Sequence, residues 1–274
     1  MKIAALQMVS TPDVPRNLEV ATRLIAEAAG AGAALVALPE YFCFMGRADR
    51  DKLAIAEAPG AGPIQHALAA AARAHHVWVI GGTLPLQSSE PERVLNSNCV
   101  YAPDGSLAAR YDKMHLFRYD NGRERYDEGR VLVAGSAPVA FDAAGLRVGL
   151  SVCYDLRFPE LYRALMRPPC DLLSVPSAFT YTTGLAHWEL LLRARAVENQ
   201  CYVIAPAQGG VHESGRRTYG HSMVVAPWGE VVAVRDEGAG VVLAELDLER
   251  IASVRRQLPA LEHRRVPSHS VDRP

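Results

Sequence analysis

Leu146-Arg147-Val148-Gly149-Leu150-Ser151-Val152-Cys153 is a mostly apolar, β-type run that stops on a thiol. Two other stretches share the plan. Leu35-Val36-Ala37-Leu38-Pro39 stops on Glu40, and Arg110-Tyr111-Asp112 stops on Lys113. Ligands in layered α/β folds bind at strand ends, so three such ends can bring a thiol, a carboxylate and an ammonium together. Around them, residues 3–9, 77–80, 97–101, 107–110, 172–175, 202–205, 223–226, 230–234 and 241–246 read as further strands. Residues 17–29, 65–75, 160–166, 186–199 and 248–257 read as helices from their apolar spacing, with 186–199 amphipathic. Pro103-Asp104-Gly105 and Pro227-Trp228-Gly229 are hairpin signals. Alternating helices and strands with hairpins predict a mixed, layered α/β domain. The charged, glycine-bearing stretch 112–135 is expected to be a functional loop over a site.

The chain has 274 residues, of which 49% are hydrophobic and 22% charged, the balance of an ordinary globular domain. A single domain over 1–258 is expected, with 259–274 as a tail lying on the surface or on a partner subunit. A net charge of −1 gives no electrostatic case for nucleic acid or an anionic membrane. No apolar run approaches the roughly 20 residues of a membrane helix. The chain starts on strand-like residues without a basic, apolar leader, so a cytoplasmic protein is expected. Five cysteines lack C-x-x-C spacing, and nine histidines lack H-E-x-x-H. Neither a disulfide framework, nor a metal, nor a cofactor is expected.

The three strand ends suit one chemistry. A thiol is mostly protonated at neutral pH and needs a base; Glu40 can supply it. Attack on an amide carbonyl creates an oxyanion, which Lys113 can neutralise. No G-x-S-x-G elbow points to a serine nucleophile. Each residue alone has a bland reading: Cys153 as a small core hydrophobe, Glu40 as a solvated cap, Lys113 as a surface cation. The flanking words decide against it.

Leu38-Pro39-Glu40-Tyr41-Phe42, Tyr111-Asp112-Lys113-Met114-His115-Leu116-Phe117 and Val152-Cys153-Tyr154-Asp155-Leu156-Arg157-Phe158-Pro159-Glu160 resemble, in order, the three signatures of the nitrilase superfamily of carbon–nitrogen hydrolases. The resemblance runs from Ala4 to Arg265. It implies an αββα sandwich that packs as αββααββα across a homodimer. It implies a small-molecule amide substrate and a thioester acyl-enzyme on Cys153, with Glu40 as base and Lys113 at the oxyanion. It also implies a second glutamate in the loop after the lysine, for which Glu128 is the better match and Glu124 the competitor. The Tyr154 N–H is expected as a second oxyanion donor, and Tyr41, Phe179 and Arg157 as substrate-binding residues. Asp155 and Arg157 are expected to pair and brace the nucleophile turn. His115, His187 and Trp188 are read as structural or as dimer contacts.

Ser177-Ala178-Phe179, Thr183-Gly184-Leu185-Ala186-His187-Trp188-Glu189 and Arg193-Ala194-Arg195-Ala196 resemble the branch acting on α-keto acid amides. Tyr219-Gly220-His221-Ser222 and Ala260-Leu261-Glu262-His263-Arg264-Arg265 lean towards members that release Cys-Gly from deaminated glutathione. Members that release ammonia from α-ketoglutaramate are the alternative. Arg216 and Arg217 form a basic loop that could meet the Cys-Gly carboxylate. An inactive binding scaffold on the same fold stays open, as does a papain-like protease, which would need a histidine partner for the cysteine.

Overall fold

The computed structural model describes residues 1–266. Two mixed sheets lie face to face. The first runs, in spatial order, Gly240–Glu245, Lys2–Gln7, Leu35–Ala37, Trp78–Ile80, Val94–Tyr101 and Leu84–Gln87, with Leu107–Asp112 and Leu132–Val133 also pairing on Val94–Tyr101. The second runs Ala140–Ala143, Leu146–Leu150, Leu172–Ser174, Tyr202–Ala205, Ser222–Val225 and Val231–Arg235. Each sheet has three parallel strands at its centre: Lys2–Gln7, Leu35–Ala37 and Trp78–Ile80 in the first, and Leu146–Leu150, Leu172–Ser174 and Tyr202–Ala205 in the second.

The layering follows from the two-residue period of a strand. Ile3, Ala5, Leu35, Ala37 and Ile80 face the second sheet and share one core with Val148, Leu150, Leu172 and Ile204. Their neighbours Ala4, Leu6, Val36, Leu38 and Val79 face outward and pack on Leu24, Ile25 and Leu68, which belong to helices Val14–Gly30 and Pro63–His75. Helices Pro159–Ala164 and Tyr181–Asn199 cover the far face of the second sheet, burying Leu161, Tyr162, Trp188, Leu192 and Ala196. The order of layers is therefore αββα.

Local chemistry sets the ends of these elements. Asp13 accepts from the Arg16 N–H and starts its helix earlier than apolar spacing indicates, with Pro15 in the first turn. Thr180 caps the helix Tyr181–Asn199 in the same way, and that helix begins five residues before the expected start at 186. That helix is not amphipathic in the expected sense. It buries Arg195 and Asn199 and leaves Leu185 and Leu190 about two-thirds exposed, at 66% and 67%. Arg195 is held inside by the Leu156 carbonyl and Glu198. The stretch after Lys113 is also more ordered than a loop. It folds into a hairpin of Arg118–Asp120 and Arg125–Asp127 and a turn over Glu128–Arg130.

Two glycines fix where the functional strand ends can lie. A Cβ on Gly82, which sits at φ +59°, would stand 2.1 Å from the Pro39 carbonyl oxygen. A Cβ on Gly135 would stand 2.0 Å from the Asp112 carbonyl oxygen. Only a residue without a side chain lets those neighbours approach the segments that carry Glu40 and Lys113. At the C-terminal end, Arg264 donates to the Arg163 and Met166 carbonyls. Residues 267–274 of the expected tail lie outside the described residues. No helix among the described residues is long and apolar enough to cross a membrane.

Candidate active site

Glu40 follows Leu35–Ala37 and is 1% exposed. Its Oε1 accepts from Asn96 Nδ2 and from Lys113 Nζ, each at 2.9 Å. Its Oε2 accepts the Ala178 N–H at 3.0 Å, and its backbone carbonyl accepts Gln208 Nε2 at 3.1 Å. The next residue, Tyr41, has φ +56°. Its N–H is held by the Thr83 hydroxyl.

Lys113 follows Leu107–Asp112 and is also 1% exposed. Its ammonium lies 2.9 Å from Glu40 and 2.8 Å from Glu128. Glu128 in turn accepts the Tyr41 hydroxyl at 2.9 Å and the Phe117 N–H at 2.7 Å. Glu124, the competing glutamate, instead meets Thr182 and Tyr126 at the surface. The hairpin makes this choice, because it returns the chain so that the Glu128 N–H bonds the Phe117 carbonyl. Burial alone would lower the Lys113 pKa, but Glu128 and Glu40 outweigh it and hold the ammonium well above its ordinary value. Burial opposes the Glu128 charge too, yet the charge and hydrogen bond of Lys113 and the Phe117 N–H keep its pKa below the usual carboxylate range.

Cys153 leaves the second sheet after Leu146–Leu150 and opens a short turn over Cys153–Arg157. Its φ is +50°, a left-handed conformation that costs a non-glycine residue about 1–3 kcal/mol. The strain is held by its N–H bonding the Pro176 carbonyl at 2.9 Å and by Asp155 behind it. Fully buried Asp155 accepts from the Val152 N–H at 2.8 Å, the Tyr111 hydroxyl at 2.7 Å and the His115 N–H at 3.0 Å, and His115 Nδ1 lies at 2.7 Å. His115 is stacked on Phe158 at 3.8 Å. Burial first, and the nearby Glu40 second, push the Cys153 thiol well above its usual pKa, against the opposing pull of Lys113. The free site therefore favours the neutral form of the thiol beside the ion cluster.

The expected Asp155–Arg157 pair does not form among the described residues. In a turn of about three residues per repeat, positions two apart point in different directions. Asp155 faces Tyr111 and His115, while Arg157 lies over the Tyr154 and Phe179 rings and contacts His187 Nδ1 at 3.2 Å. Arg157 makes no ion pair among the described residues. Trp188 packs on Phe179 at 4.8 Å and donates to the His221 carbonyl.

One cavity collects these groups. Glu40, Glu128, Cys153, Tyr154, Arg157 and Phe179 line it. So do Phe117, Ala178, Thr180, Thr183 and Arg216, of which Thr183 was not singled out from sequence. Tyr41 is not in this wall. Its hydroxyl orients Glu128, and its ring faces a second cavity further out. Arg217 is turned away, stacked on Tyr181 and paired with Glu237. Asn96 and the Ala178 N–H were also missed: a strand asparagine carries no signal of its own, and a backbone donor has none in sequence.

The family model described as carbon-nitrogen hydrolase matches residues 2–256. A deaminated glutathione amidase of Synechocystis sp. is 43% identical over 266 residues, covering 95% of this chain and 97% of that protein. The crystal structure of the Caenorhabditis elegans NitFhit protein aligns with a TM-score of 0.88 at 40% identity, covering 96% of this chain, which spans 65% of that longer one. Saccharomyces cerevisiae Nit3, a member of branch 10 of the nitrilase superfamily, also aligns at 0.88, with 32% identity and 97% of each chain covered.

Proposed function

The chain belongs to the carbon–nitrogen hydrolase family, and from that premise we propose that it hydrolyses deaminated glutathione to α-ketoglutarate and Cys-Gly, with Cys153 as nucleophile. It is an amidase of the nitrilase superfamily. The observation that carries the reading is the cavity itself, where the Cys153 thiol, the Glu40–Lys113–Glu128 cluster and Arg157, which makes no ion pair among the described residues, converge.

In this reading Glu40 takes the thiol proton as sulfur attacks the amide carbonyl. The charge that develops on oxygen meets Lys113 and the Tyr154 N–H, which belongs to the first turn after Cys153 and has no partner within that turn. Collapse breaks the C–N bond, Glu40 returns the proton to the leaving amine, and a thioester remains. Water, deprotonated by Glu40, then cleaves the thioester and restores the thiol. Glu128 keeps Lys113 charged and aimed. Arg157 and Thr183 both line the cavity, and in this reading they hold the α-keto carboxylate by charge-assisted hydrogen bonds.

Two further proposals accompany this one. The exposed Leu185 and Leu190 on helix Tyr181–Asn199 suit burial against the same helix of a second copy, giving a homodimer. The five free thiols suit the reducing cytoplasm. The substrate is tested by measuring kcat/KM for deaminated glutathione and α-ketoglutaramate with one preparation. A clear preference for the first is expected; equal or reversed efficiency would reassign the enzyme to α-ketoglutaramate.

A further inference from the structure

Past Arg216 the catalytic cavity gives way to an outer one of about 810 Å³ counting its open mouth, against about 290 Å³ for the inner. The two share walls. Arg216 lines both, Tyr126 of the outer cavity packs on Phe117 of the inner at 5.7 Å, and Tyr41 of the outer donates to Glu128 of the inner. The outer cavity is cationic: Arg47, Lys52, Arg125 and Arg216 line it against a single carboxylate, Asp49.

These cations differ in how far they are satisfied. Arg125 pairs with Asp120 at 3.6 Å and is two-thirds exposed. Lys52 and Arg216 make no ion pair among the described residues. Lys52 stands 4.7 Å over the Tyr41 ring, on the turn Asp49–Ile55. That turn is fixed by Asp51, which accepts the Arg47 and Ala48 N–H groups at 2.9 and 2.8 Å. Arg216 lies over Tyr126 at 5.2 Å and gives one N–H to the Ala178 carbonyl at 2.9 Å, and its Nε is buried with no acceptor. Two half-buried cations thus face one space from separate elements, one of them with an unmet donor.

We propose that this outer cavity is the leaving-group subsite, in which Lys52 and Arg216 hold the carboxylate that ends the amine half of the substrate. The inference rests on the amidase reading above and names the part of the substrate that reading left unplaced. Cys-Gly carries its carboxylate two residues from the scissile nitrogen, and two extended residues span about 7 Å. That suffices to cross the Tyr41 ring, whose hydroxyl touches Glu128 and whose face carries Lys52. A carboxylate is the anion that a guanidinium and an ammonium complement together. Burial, the main influence on Lys52, holds its pKa below the ordinary lysine value; an anion at this place would favour its charged form. Ammonia as leaving group would touch none of these residues.

The test compares three amides of the same α-keto acyl half, with Cys-Gly, Cys-glycinamide and ammonia as leaving groups. Cys-glycinamide keeps the size of Cys-Gly and removes its charge. The wild-type enzyme should favour Cys-Gly over Cys-glycinamide in kcat/KM by about tenfold or more, the worth of a hydrogen bond to a charged group. Lys52→Met should bring that ratio to within about twofold of one, chiefly through KM for the Cys-Gly substrate, while Lys52→Arg keeps most of it. Arg216→Gln should lower the ratio as well. A wild-type ratio near one, or one that neither Lys52→Met nor Arg216→Gln changes, overturns the subsite and leaves the amidase assignment standing. Hydrolysis of the primary amide alone overturns the substrate assignment and the subsite with it.

Discussion

Glu40 and Lys113 leave the first sheet, whereas Cys153 and the Ala178 N–H leave the second, and the two sides are built differently. The first side is ionic. Two of its three charged groups, Glu40 and Lys113, are almost fully buried and Glu128 is partly so; the three lie in a row with contacts of 3.0 Å or less and are stabilised mainly by each other. The second side is neutral and strained: a thiol on a left-handed turn, backed by a carboxylate that touches no substrate space. Neither sheet holds a complete set. The chemistry exists only at the seam, and beside the reactive groups the seam is tied by bonds from the Ala178 N–H and Gln208 to Glu40, and from Tyr111 and His115 to Asp155.

The largest effects should come from removing the one group each side gives to bond making. Cys153→Ala is expected to bring hydrolysis to background with an unchanged unfolding curve, since the substitution is small. Glu40→Gln is expected to stop acyl-enzyme formation, because an amide cannot take the thiol proton. Mass spectrometry of substrate-treated Glu40→Gln protein checks this, and a normal thioester adduct would remove Glu40 from the role of base. Lys113→Ala comes next. It deletes the oxyanion donor and leaves Glu40 and Glu128 buried without their shared cation, so kcat should fall by about 3 kcal/mol or more of transition-state stabilisation, with stability reduced as well.

The tie between the sheets should give smaller losses that separate position from chemistry. Tyr111→Phe removes one donor to Asp155 and leaves a buried acceptor underserved, a cost of about 1–3 kcal/mol in stability. Asp155→Asn is expected to cost more, because every partner around that carboxylate is a donor and an amide would turn an N–H against one of them. Urea midpoints and kcat measured together decide the matter. If Asp155→Asn lost activity with no loss of stability, Asp155 would belong to the reaction and not to the seam.

The comparison also explains what sequence could and could not reveal. Glu40, Lys113 and Cys153 were legible because each ends a strand inside a specific word, and strand ends converge in a layered fold. Ile3, Ala4, Ala5 and Leu6 are all apolar and all buried, so the run read as a strand without telling which of its faces meets the second sheet. Glu128 could be weighed against Glu124 only by resemblance, since both lie in one charged stretch and a hairpin decides which returns to Lys113. Arg216 and Arg217 looked like one basic loop, yet Arg217 opens the paired strand Arg217–Tyr219 and turns to Tyr181 and Glu237, while Arg216 just before it turns to Tyr126 and the Ala178 carbonyl. Lys52 gave no signal, because its meaning comes from the Tyr41 ring beneath it and from a cavity assembled by distant segments.

The smallest expected effect is a change that should fail to appear. Many catalytic thiols are ionised before substrate arrives, through a neighbouring cation or a helix N-terminus. Here burial and Glu40 push Cys153 up, and Lys113 cannot reverse them because its own charge is shared between Glu40 and Glu128. A thiol pKa above its ordinary value means that the neutral form dominates on the acid side of that raised value, and that the thiolate fraction grows only as pH climbs towards it. Alkylation of the free enzyme by iodoacetamide, followed as loss of activity from pH 6 to pH 9, should therefore be slow and rise without a plateau. Glu128→Gln sharpens the point. It removes one of the two carboxylates that share the lysine, so more of the Lys113 charge is left to stabilise a thiolate, and alkylation at neutral pH should quicken. An inflection below pH 7 in the unmodified enzyme would mean that the second sheet carries charge of its own and that the thiol is activated without Glu40.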